Sequence, residues 1–143
     1  MPDRTASIDW TGTLGEGTGA VHLGSGAAPL DYRFATRFEE EPGSNPEELL
    51  AGALGSCFTM ALAGRLTRAG TAPAALHTTA KTSITKVEGN WTITGITLQI
   101  SGTVEGLDQA DFEAHARAAK DACPVSRALK AVPIELVVGP LSS

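Results

Sequence analysis

The chain has 143 residues and a mass of 14.7 kDa, with 11 basic against 16 acidic side chains and a formal charge of −5. No Lys/Arg cluster offsets that balance, which argues against a nucleic-acid or anionic-membrane binder. Apolar residues make up 42%, but 22 of them are Ala and only 31 are Leu, Ile, Val or Phe. So thin a core predicts a partner subunit.

No repeat, low-complexity tract or long linker interrupts residues 1–143, so a single domain is expected. The first nine residues are polar, without an apolar stretch of signal-peptide length, and no segment is expected to reach membrane-spanning length. A cytoplasmic location is therefore expected, where a cysteine pair is seldom a structural staple. Three strands are predicted first. Ile8 and Trp10 alternate with polar residues, the Gly-rich turn through Gly12, Gly17 and Gly19 follows, and Ala20–Leu23 is a short strand. Leu30 to Phe38 then alternates, with Leu30, Tyr32 and Phe34 on one face and Asp31, Arg33, Ala35 and Arg37 on the other.

A loop from Glu39 to Ser44 precedes a clear helix start. Asn45 suits the N-cap, Pro46 the first helical position and Glu48 the third. The helix is predicted over Pro46 to about Arg68, ending at Gly70. Its interior is apolar or small all round, which places it at the centre of the fold. Strands Leu76–Val87 and Trp91–Val104 follow, joined at Glu88-Gly89-Asn90. The apolar phase changes at Gly95, predicting a β-bulge there. Asp108 caps a second helix with Phe112, Ala116 and Ala119 on one face. Pro124 breaks it at Cys123, a short helix Val125–Lys130 follows, and Ile134, Leu136 and Val138 form the last strand. The order is βββ-α-ββ-αα-β, an α+β pattern dominated by antiparallel pairing around a long central helix.

Two cysteines, Cys57 and Cys123, carry the reactive chemistry. On an apolar helix Cys57 reads equally as a buried inert thiol or as a thiolate held by a nearby cation. Arg37 is a candidate cation, or else a solvated strand arginine. Glu48 lies nine residues before Cys57, on the opposite side of the helix, whereas Glu47 is about 80° away in projection. Glu47 is therefore the one to reach toward the cysteine's side, unless it is simply a first-turn acid favoured by the helix dipole. Cys123, at the start of a short helix with Arg127 one turn on, is locally the more acidic thiol. The histidines His22, His77 and His115 are scattered and the cysteines far apart, so no metal site is expected. There is no nucleotide-binding glycine motif and no Gly-x-Ser-x-Gly elbow.

Two stretches together add a resemblance. Arg37-Phe38-Glu39, Ser44-Asn45-Pro46-Glu47-Glu48-Leu49-Leu50 and Ser56-Cys57-Phe58-Thr59-Met60-Ala61-Leu62 form the first, and Cys123-Pro124-Val125-Ser126 the second. They resemble the OsmC family of peroxidases, related to the organic hydroperoxide resistance proteins, and the Arg-Phe-Glu lead-in and Glu-Glu pair favour the OsmC branch. The resemblance implies an OsmC-like fold and an intertwined homodimer with active sites at the subunit interface. It implies Cys57 as peroxidatic nucleophile, Cys123 as resolving cysteine, Arg37 as activating cation and Glu47 as its carboxylate partner. Cys57 would attack the distal peroxide oxygen and become a sulfenic acid, and Cys123 would close a Cys57–Cys123 disulfide. An external dithiol of dihydrolipoyl type, with no haem, metal or flavin, would reduce it. A thiol of pKa about 8.5 is roughly 3% ionised at pH 7, so full ionisation gains only about 30-fold, and Arg37 must also orient the peroxide. A thiol–disulfide sensor and a non-enzymatic binder of a hydrophobic ligand are the rival readings.

Overall fold

The computed structural model describes residues 2–143. The chain groups into two compact units, one ending at Leu49 and the other running from Leu50 to Ser143. In the first unit, β1 (Ala6–Thr11), β2 (Thr18–Leu23) and β3 (Leu30–Tyr32) form an antiparallel sheet in that order. Trp10 pairs with Gly19, and Gly19 with Tyr32, so the two aromatic rings lie over a residue without a side chain. A Cβ at Gly19 would sit 2.5 Å from the Tyr32 ring and 2.9 Å from Trp10. The position requires glycine because the rings already occupy that space.

The strand expected over Leu30 to Phe38 stops early. Phe34–Phe38 is a short helix, α1. Thr36 turns the chain: its hydroxyl donates to the Arg33 carbonyl and accepts from the Arg33 N–H, both at 3.0 Å. Local side-chain bonding of this kind competes with a sheet ladder. The Phe34 and Phe38 rings meet at 5.1 Å, the contact that a helical (i, i+4) spacing provides. Helix α2 (Pro46–Arg68) then starts as its sequence predicts, with the Asn45 side chain accepting from the Glu48 N–H at 2.9 Å.

In the second unit β4 (Ala75–Val87) and β5 (Asn90–Thr103) make a long hairpin. Val87 pairs with Asn90, and the two turn residues, Glu88 and Gly89, have φ of 51° and 83°. Positive φ at both is the type I′ turn that matches strand twist. Ser83 pairs with Gly95 but Ile84 with Ile93, leaving Thr94 unpaired. This is the expected bulge, and beyond it Ile96, Leu98 and Ile100 all face inward.

Helices α3 (Gln109–Ala122) and α4 (Pro124–Ala128) lead to β6 (Ile134–Ser142), which joins the edge of β5 in parallel. This strand departs from the antiparallel rule, because the α3–α4 crossover returns the chain to the same end of the sheet. Pro140 has no N–H for the ladder. Beside it, Gln109 donates to the Gly139 carbonyl and accepts from the Leu141 N–H, repairing the break.

The core of this unit joins one stripe of α2 (Leu54, Phe58, Leu62 and Leu66) to the sheet and to Phe112, Ala116 and Ala119 of α3. Small residues set the spacing: a Cβ at Gly55 would lie 3.3 Å from that of Ala80, and the Thr59 and Thr78 hydroxyls bond across the same seam. Two expectations need correction. By length and composition α2 is apolar enough to cross a membrane, contrary to the expectation that no segment is; its inner stripe is committed to this core. Nor is it covered on all sides, since Met60 is 80% exposed. Truncating Leu62, which is fully buried, is expected to cost about 2–5 kcal/mol, read as a lowered urea midpoint for Leu62→Ala.

Candidate active site

The two cysteines, 66 residues apart in sequence, meet in the second unit with their Sγ atoms 2.7 Å apart. Both are free thiols; Cys57 is partly exposed and Cys123 fully buried. The separation exceeds a covalent S–S bond of about 2.05 Å, yet little backbone movement is needed to close one. Helix periodicity delivers Cys57, which packs against the core one residue before Phe58. A chain break delivers Cys123. Pro124 disfavours helical geometry in the residue before it, and Cys123 takes φ −58° and ψ 127°. Its N–H still donates to the Ala119 carbonyl, while its own carbonyl accepts from the Arg127 N–H. Cys123 is thus the last residue of one helix and the cap of the next.

The two thiols are electrostatically unequal. Burial pushes the Cys57 thiol above its ordinary 9.0, and the neighbouring Cys123 side chain and its charge add to that, against a lowering by the Val125 amide. Burial also acts to raise Cys123, but the Cys57 thiol, the amide and hydroxyl of Ser126 and the Val125 amide outweigh it, so this thiol is held below 9.0. The sequence-level view of Cys123 as locally the more acidic thiol agrees with this direction. Ser126 belongs to the Cys123-Pro124-Val125-Ser126 stretch, where only the cysteine carries an expected role. Its position, three residues after the cysteine that caps α4, is the signal that marks it.

Arg37 and Glu47 meet within the first unit. Arg37 lies on α1 rather than on a strand, and Glu47 in the first turn of α2. Arg37 Nη2 donates to Glu47 Oε1 at 2.8 Å, and Nε donates to both carboxylate oxygens at 3.1 and 3.2 Å. Glu47 is 7% exposed, so the pair is anchored on its acidic side. The guanidinium also stacks over the Phe38 ring, 4.9 Å from its centroid. Arg37 is fixed from two directions while part of its fork stays open. The Glu48 backbone N–H donates to the Asn45 side chain at the helix start. Among the described residues no group of three or more His, Cys, Asp or Glu could hold a metal ion.

The sequence profile described as OsmC-like protein matches residues 39–137. The chain is 43% identical over 129 residues, covering 90% of each sequence, to Peroxiredoxin OsmC of Escherichia coli and, to the same extent, to its namesake in Shigella flexneri. Among solved structures, an OsmC-like protein of unknown function from Vibrio cholerae superposes with a TM-score of 0.80 at 14% identity, covering 97% of this chain and 100% of that one. The organic hydroperoxide resistance protein OhrB of Bacillus subtilis superposes with a TM-score of 0.72 at 24% identity, over 94% and 98% of the two chains. These superpositions establish the fold.

The inequality of the thiols is directly measurable. Thiolate absorbance near 240 nm in the reduced protein is expected to rise in two steps, one below pH 9.0 and one above it. Cys123→Ser removes the lower step and moves the remaining Cys57 step down, because a neighbouring thiolate no longer opposes its ionisation.

Proposed function

Because the chain belongs to the OsmC-like family, we propose that it is a thiol-dependent peroxidase that reduces organic hydroperoxides. The observation that carries this reading is the approach of Cys57 and Cys123 to 2.7 Å across 66 residues of sequence, with one thiol accessible and one buried. Cys57 is assigned as the peroxidatic nucleophile and Cys123 as the resolving cysteine. Cys57, as the thiolate, attacks the distal oxygen. The O–O bond breaks, the alkoxide takes the proton of the Cys123 thiol and leaves as an alcohol, and Cys57 becomes a sulfenic acid. Cys123 attacks that sulfur, hydroxide leaves as water, and the disulfide forms. A dithiol then restores both thiols by exchange and is itself oxidised to a disulfide.

Arg37 is assigned to orient the peroxide and to stabilise charge on the departing oxygen, with Glu47 holding its guanidinium. The two-pronged geometry of that pair supports the assignment, since a planar fork held on one edge presents its other N–H groups in fixed directions. We propose a homodimer as the working form. Met60, 80% exposed midway along an apolar helix, and Ile8, 55% exposed on β1, are surfaces that a second subunit would cover. A cytoplasmic site of action follows from the same reading.

The test is a steady-state assay with cumene hydroperoxide and dihydrolipoamide. Cys57→Ser is expected to abolish peroxide consumption, while Cys123→Ser supports one turnover and stops at a sulfenic acid that dimedone traps. Arg37→Lys, which keeps charge but loses the fork, is expected to lose about tenfold or more in kcat/KM. Loss of the first turnover in Cys123→Ser alone, with Cys57→Ser still active, reverses the two roles. Sedimentation is expected to give twice the 14.7 kDa chain mass, and Met60→Glu to shift it toward the monomer; a monomeric wild type removes the dimer.

A further inference from the structure

The Ser126 hydroxyl has no assigned task in this chemistry, yet its situation is unusual. The residue is 8% exposed, and among the described residues its Oγ has no conventional hydrogen-bond partner. A buried hydroxyl left unpaired is costly. Ser126 is the third residue of α4, the helix that Cys123 caps, and its hydroxyl is among the groups that hold the Cys123 thiol low. A thiol sulfur accepts weakly, whereas a thiolate accepts strongly. The hydroxyl therefore gains its partner only when negative charge arrives on Cys123.

We propose that Ser126 is a positioning residue of the thiol cycle: it receives the charge of Cys123 as that sulfur is expelled, so that an incoming dithiol attacks Cys57. The inference rests on the peroxidase reading for the origin of the disulfide, but its geometry stands on this chain. Access points the same way, because the attacking thiolate must approach along the S–S axis, and Cys57 is partly exposed while Cys123 is fully buried. In the exchange, the reductant thiolate forms a bond to Cys57 Sγ, the Cys57–Cys123 bond breaks, and its electron pair leaves on Cys123. The second thiolate of the reductant then attacks its own bridged sulfur and frees Cys57. A leaving sulfur of lower basicity leaves faster, and the thiol held low in this pair is Cys123. The charged groups around Ser126 agree in sign. A cavity of about 240 Å³ beside it is lined by Lys120, Arg127 and Lys130 against one acid, Asp121, and from α2 it is the uncharged Cys57 thiol that faces the sulfur.

The experiment starts from disulfide made with diamide, so that no peroxide chemistry is required, and follows its reduction by dihydrolipoamide in a stopped-flow instrument. Ser126→Ala is expected to slow reduction on the order of fivefold and to move the lower thiolate absorbance step up in pH. Ser126→Thr, which keeps the hydroxyl, is expected to restore both. A mixed disulfide trapped with a monothiol is expected on Cys57 by peptide mass spectrometry. An unchanged rate in Ser126→Ala, or a mixed disulfide on Cys123, overturns the proposal. A protein that shows the Ser126 dependence but consumes no hydroperoxide overturns the peroxidase reading and leaves this one standing.

Discussion

Everything reactive in the second unit depends on the refusal of one residue to continue a helix. Had α3 (Gln109–Ala122) run on as a regular helix, the side chain at 123 would follow the turn of Ala119 and Ala116 and serve only as packing. Pro124 prevents this by pushing Cys123 to an extended ψ of 127°. The chain then restarts at once as α4, so Cys123 sits at a corner with its sulfur against α2. The corner is also a topological need. Because β6 runs parallel to β5, the chain must return along the sheet before pairing, and α3 with α4 makes that return. The same crossover that completes the sheet thus delivers a cysteine to the central helix.

Burying two thiols together divides labour between them. In water the pair would be near equivalent, but here burial disfavours ionisation of both, while the amides of Val125 and Ser126 and the Ser126 hydroxyl favour it at Cys123. Ionisation is favoured on the sulfur that solvent cannot reach and disfavoured on the one that it can. A buried thiolate is protected from stray oxidants, because reactivity follows both ionisation and access. Such an arrangement keeps the two sulfurs close to the bond proposed between them.

Much of this was legible in residues whose meaning is local. Asn45 and Asp108 each accept from the amide three residues on, and Gly89 and Gly95 fall at the turn and beside the bulge. Capping and turn chemistry are decided within four residues, so sequence carries them. Sequence is a weaker guide where two local patterns compete or where the partner is remote. Leu30 to Phe38 alternates as a strand should, but Thr36 bonding to Arg33 turned its second half into α1. The direction of β6 could not be read from Ile134, Leu136 and Val138, since a strand's periodicity is the same in either orientation. The exposed side of α2 was missed because composition makes a helix apolar all round without saying how much of it one chain can cover. Ser126 stands out only in three dimensions, because its burial without a partner is a property of packing and not of spacing.

The Arg37–Glu47 pair sharpens what a cation can contribute to the proposed reaction. A guanidinium bound through Nε and Nη2 to a buried carboxylate is close to neutral when seen from a distance, and salt screens what remains within about 8 Å. As a bare charge the pair therefore contributes little. What survives neutralisation is direction. The N–H groups not engaged by Glu47 keep fixed bearings, set by the carboxylate on one side and the Phe38 ring beneath. Donors fixed in advance stabilise charge that develops at one place without reorganising. The carboxylate that weakens Arg37 as a charge is the same group that makes it useful as a template.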